Sequence, residues 1–142
     1  MSSMPRQKPD IHKAAAIIIE DGKLLVARTH GKDVFVAPGG KLEDDESPEE
    51  ALIRELSEEL AIKVDQEYLS LFGTFYAIAA GSENLSLRMD VFLVDHYAGK
   101  ISKQAEIAEI AWVDSDIPEG MKVGSIFEKE VIPRLKNDGE IN

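Results

Sequence analysis

Apolar residues fall along the chain mostly in short bursts of strand length, separated by turn residues. KAAAIIIE, Lys13 to Glu20, is rich in β-branched residues and ends on Asp21-Gly22. That dipeptide favours a two-residue hairpin turn, so KLLVAR, Lys23 to Arg28, is expected to return as a second strand. DVFVA, Asp33 to Ala37, reads as a third. Pro38-Gly39-Gly40 is then expected to break any regular element. A helix follows. Ser47, Pro48 and Glu50 stand where an N-cap, a first-turn proline and a capping-box acid belong. Leu52, Ile53, Leu56 and Leu60 recur on one arc of the wheel, and Leu60 lies near the end.

The second half is strand-rich. Tyr68 to Ala80 and Leu85 to Tyr97 read as a hairpin around Gly81-Ser82-Glu83-Asn84, and Ile107 to Val113 as a further strand containing the only tryptophan, Trp112. Ser125 to Lys136 carries a helical apolar set, with Pro133 expected to kink or shorten it. No repeat or linker interrupts this order of strands, helix, strands, helix. It predicts one α/β domain with a mixed sheet over residues 13–142, preceded by a loose polar tail, residues 1–12.

Charge changes this picture locally. The 142 residues carry 27 acids against 16 bases, a net charge of −11. That balance opposes a general affinity for nucleic acid polymers or anionic membranes. Nine of the acids lie within 43–59: Glu43, Asp44, Asp45, Glu46, Glu49, Glu50, Glu55, Glu58 and Glu59. With no cysteine, disulfides and thiolate chemistry are excluded, which fits a cytoplasmic location. No apolar run has the length of a membrane span.

The acids on the helix point to chemistry. At about 100° per residue, Glu55, Glu58 and Glu59 share an arc roughly 100° wide, beside the apolar one. Like charges at i, i+4 destabilise a helix, and no lysine or arginine is expected on that arc, with Arg54 to its side. Three carboxylates at i, i+3, i+4 are converging oxygen ligands for a hard cation such as Mg²⁺, which commonly bridges to substrate phosphates. A solvated acidic face is the competing reading of the same spacing. Pro38-Gly39-Gly40 brings bare backbone beside the helix, where a glycine carbonyl can add to a metal shell.

From Gly40 the chain runs Gly40, five residues, Glu46, seven residues, Arg54-Glu55-Leu56, one residue, Glu58-Glu59, one residue, Ala61-Ile62. This resembles the Nudix box, G-x5-E-x7-R-E-U-x-E-E-x-G-U with U apolar, at every position except the last glycine, here Ala61. That glycine belongs to a helix C-terminus, where a left-handed residue is favoured, so alanine there is expected to cost about 1 kcal/mol. The surrounding order of elements, from Lys13 to Lys136, is similar as well.

The resemblance implies an α/β/α sandwich with a mixed β-sheet and a loop-helix-loop catalytic motif. It also implies Mg²⁺- or Mn²⁺-dependent hydrolysis of a nucleoside diphosphate linked to another group, with a small-molecule nucleotide as substrate. By the same resemblance Glu55, Glu58 and Glu59 are metal ligands, with Gly39 and an acid from a later loop, Glu106 in preference to Glu109. Arg54 and Glu46 form a supporting ion pair. The proton acceptor stays open among Glu55, Glu58, Glu59 and Glu106. Arg28, Gly40, Phe35 and Arg88 are candidate substrate contacts, with Phe75 and Tyr76 as further aromatic candidates. Thr29 stands where some relatives that act on oxidised nucleotides carry a second arginine. No proline lies between Pro48 and Pro118, unlike some ADP-ribose-cleaving relatives. Those enzymes, dinucleoside polyphosphate hydrolases and a non-catalytic nucleotide-binding module remain the alternatives to an enzyme for nucleoside triphosphates. A homodimer through exposed strand surface is a further possibility.

Overall fold

The computed structural model describes residues 8–78 and 85–142. Nine strands are seen among them: β1 (Ile11–Ile17), β2 (Ile19–Glu20), β3 (Lys23–Thr29), β4 (Val34–Phe35), β5 (Gly39–Lys41), β6 (Leu69–Ile78), β7 (Ser86–Val94), β8 (Ile107–Val113) and β9 (Lys122–Val123). Helix α1 (Pro48–Leu60) follows β5. A π-helical turn, Phe127–Val131, runs into α2 (Ile132–Asn137). Strands β5-β1-β7-β6 form a mixed sheet in which β1 and β7 are parallel. A second sheet has the order β2-β3-β8, and β4 pairs with β9.

β1 shows why the sequence lacks simple alternation there. Both of its faces are covered, so a continuous apolar run is required. Ala14, Ala16 and Ile18 pack with Leu52, Leu56 and Leu60 of α1. Ala15 and Ile17 pack with Phe127, Val131 and Leu135 of the C-terminal helix. The sheet is thus sandwiched between helices. Each fully buried leucine of α1 contributes about 2 kcal/mol of apolar burial, which fixes the helix rotation and hence the aim of its polar side.

Several boundaries depart from expectation. β1 crosses the one set at residue 13: Ile11 pairs with Leu87, and the Asp10 N–H donates to Ser86 Oγ at 2.9 Å. The tail is tied to the sheet by these bonds from Asp10 onward. Gly39 to Lys41, expected to interrupt regular structure, is an edge strand antiparallel to β1. Gly39 has φ 143°, and a Cβ on it would stand 2.1 Å from the Ala14 carbonyl oxygen. Only glycine permits that approach. The third strand is shorter than predicted, Val34–Phe35, with Val36 bridging back to Ala27. β9, which pairs over two residues, was not anticipated.

β6 and β7 form the expected antiparallel pair, with a bulge between Leu71 and Gly73; their connection, 79–84, lies outside the described residues. Pro133 does not end the last helix. It has no N–H to donate and its ring crowds the carbonyl four residues back. The preceding turn widens, and the Ile132 N–H donates to the Phe127 carbonyl, five residues back.

Candidate active site

Helix α1 is built as its sequence directs. Ser47 Oγ accepts the Glu50 N–H at 3.1 Å, and Glu50 Oε1 accepts the Ser47 N–H at 2.8 Å. The far end closes on Ala61, whose φ of 59° and ψ of 33° are left-handed. Between these caps, burial of Leu52, Leu56 and Leu60 turns Glu55 and Glu59 toward β5.

Arg54 organises this edge. Its Nε lies 2.7 Å from Glu46 Oε2 and its Nη2 3.0 Å from Glu46 Oε1, a two-pronged pair. Nη1 donates to Glu55 Oε2 at 3.2 Å and to Glu58 Oε1 at 3.1 Å, and Nη2 to the Lys41 carbonyl at 3.2 Å. The acidic arc is therefore not free of cations, as the wheel had suggested. The wheel places Cβ atoms, whereas the long arginine side chain reaches across it. The Arg54 hydrogen bond, with the Glu43 amide, holds the Glu46 carboxyl below the usual carboxylate range.

Glu59 and Glu55 both shift upward, opposite to Glu46. Burial pushes Glu59 up to about 7, and the charges of Glu55, Glu106 and Glu58 add to it. The Gly39 N–H, 3.1 Å from Glu59 Oε1, offsets only part of this. Burial also raises Glu55, against the pull of Arg54. Gly40 leaves room for this packing: a Cβ on it would lie 2.5 Å from Glu55 Oε2, so the carboxylate would have to move.

Glu106 bears on both Glu55 and Glu59 from the loop before β8. Glu109, the other acid considered, is engaged by Arg28 at 3.3 Å. Arg28 also donates to the Lys32 carbonyl at 2.9 Å and lies over the Phe35 ring at 6.0 Å. Phe35 itself is buried in the core, whereas its neighbour Val36 is 45% exposed. Arg88 is bound to Asp90 at 3.3 Å.

A cavity of about 210 Å³ opens on the face of the sheet opposite α1 and shares Gly39 and Gly40 with the acidic edge. Val36, Met89, Ile126 and Phe127 give it apolar walls, and Lys13 is its one charged side chain. Of the expected substrate contacts Gly40 lines this cavity, and strand alternation accounts for the direction of Phe35 and Arg88. Leu87 and Met89 line the cavity while Arg88, between them, turns the other way. Val36 lines it while Phe35 points into the core.

A second polar group was missed altogether. Asp90, 2% exposed, accepts from Thr74 Oγ1 at 2.6 Å and lies 2.6 Å from His12 Nε2. Burial alone would raise its carboxyl, but the His12 and Thr74 bonds outweigh that and hold it below the usual range. Only an unexpected acid within the apolar pattern of Leu87 to Leu93 marks it in the sequence.

The family model of the NUDIX domain matches residues 10–135. The chain belongs to the NUDIX family. It is 32% identical over 102 residues to the 8-oxo-dGTP diphosphatase of Proteus vulgaris, covering 68% of this chain and 87% of that protein. It is 30% identical over 119 residues to a MutT-like protein of Streptomyces ambofaciens, covering 80% and 73%. The solution structure of the E. coli ORF135 protein superposes with a TM-score of 0.72 at 25% identity, covering 90% of this chain and 91% of that one. The protein is accordingly a Nudix hydrolase with the family's α/β/α fold.

Nudix hydrolases generally use divalent metals. Among the described residues no three acidic or histidine side chains are close enough to enclose an ion as they stand. Glu55 and Glu58 turn onto Arg54, and Glu59 onto the Gly39 N–H. The donor set nevertheless fits a hard cation: carboxylate oxygens on one helix, two of them raised by burial and mutual repulsion, with a glycine leaving room against Glu55.

Proposed function

We propose that this Nudix hydrolase cleaves a nucleoside triphosphate, or a closely related nucleoside diphosphate derivative, with Mg²⁺ or Mn²⁺, in the cytoplasm. The observation that carries this reading is the shared backbone of Gly39 and Gly40. It joins a raised carboxylate pair on one side to a largely apolar cavity on the other. A polar phosphate chain suits the first and a flat base the second. The relative named as an 8-oxo-dGTP diphosphatase supports the same substrate class.

The chain's own groups divide the work. Arg54, clamped by Glu46, holds Glu55 and Glu58 in place. Glu59 is held by the Gly39 N–H, and without a cation its burial and acidic neighbours raise its proton affinity to near neutrality. Of Glu55, Glu58, Glu59 and Glu106, the carboxylate that the cation leaves free takes the proton from an attacking water. Glu55, Glu58 and Glu59, with Gly39 and Glu106, would hold the cation. When bound, a divalent cation neutralises phosphate charge and makes a water more acidic.

The test is turnover. With Mg²⁺, the purified protein is expected to convert at least one nucleoside triphosphate to its monophosphate and pyrophosphate. Dinucleoside polyphosphates, ADP-ribose and nucleotide sugars serve as comparison. Glu59→Gln is expected to keep the fold by circular dichroism and to lose about 100-fold or more in kcat. Tight nucleotide binding without any turnover would replace this reading with a binding module.

A further inference from the structure

Lys13 breaks two local rules at once. It is half-buried on β1, and it stands directly opposite Lys41 of β5. Like charges facing across strands repel, and burial of an ammonium costs free energy unless a partner compensates. No partner is present: among the described residues the Lys13 ammonium donates no hydrogen bond and forms no ion pair. Burial and the charge of Lys41 both lower its proton affinity, and only the charge of Glu59 opposes them.

Its position gives these costs a purpose. Lys13 lines the cavity beside Gly39 and Gly40, and it feels Glu59 from there. It therefore stands where the apolar cavity gives way to the carboxylates. The neighbouring arginines are committed: Arg54 to Glu46, Arg28 to Glu109 and Arg88 to Asp90. Among the described residues Lys13 is the one charged side chain that lines the cavity, and Lys41 faces it from β5.

We propose that Lys13 is a substrate-binding residue that grips the phosphate chain where it leaves the nucleoside cavity. The inference rests on the nucleotide-hydrolase reading above and deepens it. An anion between Lys13 and Lys41 relieves their repulsion and supplies the missing hydrogen-bond acceptor. Charge-assisted bonds of this kind are about twice as strong as neutral ones.

Calorimetry with Mg²⁺ present tests this on wild type, Lys13→Met and Lys13→Arg. The probes are α,β-methylene nucleoside triphosphates, which resist cleavage between the bridged phosphates, and inorganic tripolyphosphate, which has no nucleoside. Lys13→Met is expected to bind both probes about tenfold more weakly, and Lys13→Arg to recover most of that loss. Thermal melting of Lys13→Met without ligand is expected at or above the wild-type temperature, because a half-buried charge facing Lys41 is gone; a structural lysine would lower it. Unchanged affinity in Lys13→Met overturns the proposal. So does a loss confined to the nucleotide with tripolyphosphate unaffected, since the lysine would then read the nucleoside. A wild-type protein that binds no nucleotide overturns the functional reading itself, a result distinct from either of these.

Discussion

Ala61 shows how one residue can carry a measurable cost without touching the chemistry. Its φ of 59° places an alanine in the left-handed region, where a Cβ crowds the following carbonyl by roughly 1 kcal/mol. It caps α1 two residues after Glu59, and its N–H donates to the Ser57 carbonyl at 3.1 Å. Ala61→Gly is expected to raise stability by about 1 kcal/mol, read as a higher midpoint in urea, with kcat within twofold of wild type. A lower midpoint would mean that the methyl group packs usefully. The left-handed conformation was legible in the sequence, because box spacing put a glycine position there. So were Asp21 and Gly22, whose φ values of 52° and 74° suit the predicted hairpin turn. Arg28, Phe35 and Arg88 could be singled out by residue type, but the direction of their side chains was not legible. A strand shifts its side chains to the opposite face at each step, and no local signal told which of Phe35 or Val36 faces the cavity.

At the scale of elements, α1 was readable because all its signals are local: the capping box, the first-turn proline and the apolar arc lie within 14 residues. β5 was not. Its pairing depends on glycines that contribute no side-chain pattern, against a strand 26 residues away. The His12–Asp90 contact, across 78 positions, was equally hidden. What joins α1 to its preceding loop is Arg54, which holds Glu46 in a fork and reaches the Lys41 carbonyl. Arg54→Lys keeps the charge but loses the planar fork. The variant is expected to lose on the order of 2 kcal/mol of stability and at least tenfold in kcat, since Glu55 and Glu58 lose their shared donor. Chemical denaturation and steady-state kinetics report the two effects separately. Full activity in Arg54→Lys would mean that the point charge alone positions the carboxylates.

For the whole molecule, the acidic edge couples stability to pH and to cations. Glu59 has a proton affinity near 7 when folded and about 4.5 as a free side chain. Between those values the folded state holds a proton that the unfolded state has released. The stabilising contribution of Glu59 is therefore complete below pH 4.5 and disappears as pH rises through 7, up to about 3 kcal/mol in all. Asp90 works in the opposite sense. Its lowered carboxyl supports the fold above the ordinary aspartate range and withdraws that support as pH falls through its folded value. Glu46 shares that sign at the exposed edge. The melting temperature of the wild type alone blends these terms, so the informative quantity is its difference from Glu59→Gln, in which position 59 is neutral throughout. Without added metal, that difference is expected to shift in favour of the variant from pH 5 to pH 8 and to level off above it. A divalent cation competes with the Glu59 proton. Mg²⁺ or Mn²⁺ is thus expected to raise the wild-type melting temperature more at pH 8 than at pH 6 and to have little effect on Glu59→Gln. A difference that stays flat from pH 5 to pH 8, with cations acting equally on both proteins, would remove Glu59 from the cation site and leave its burial as packing alone.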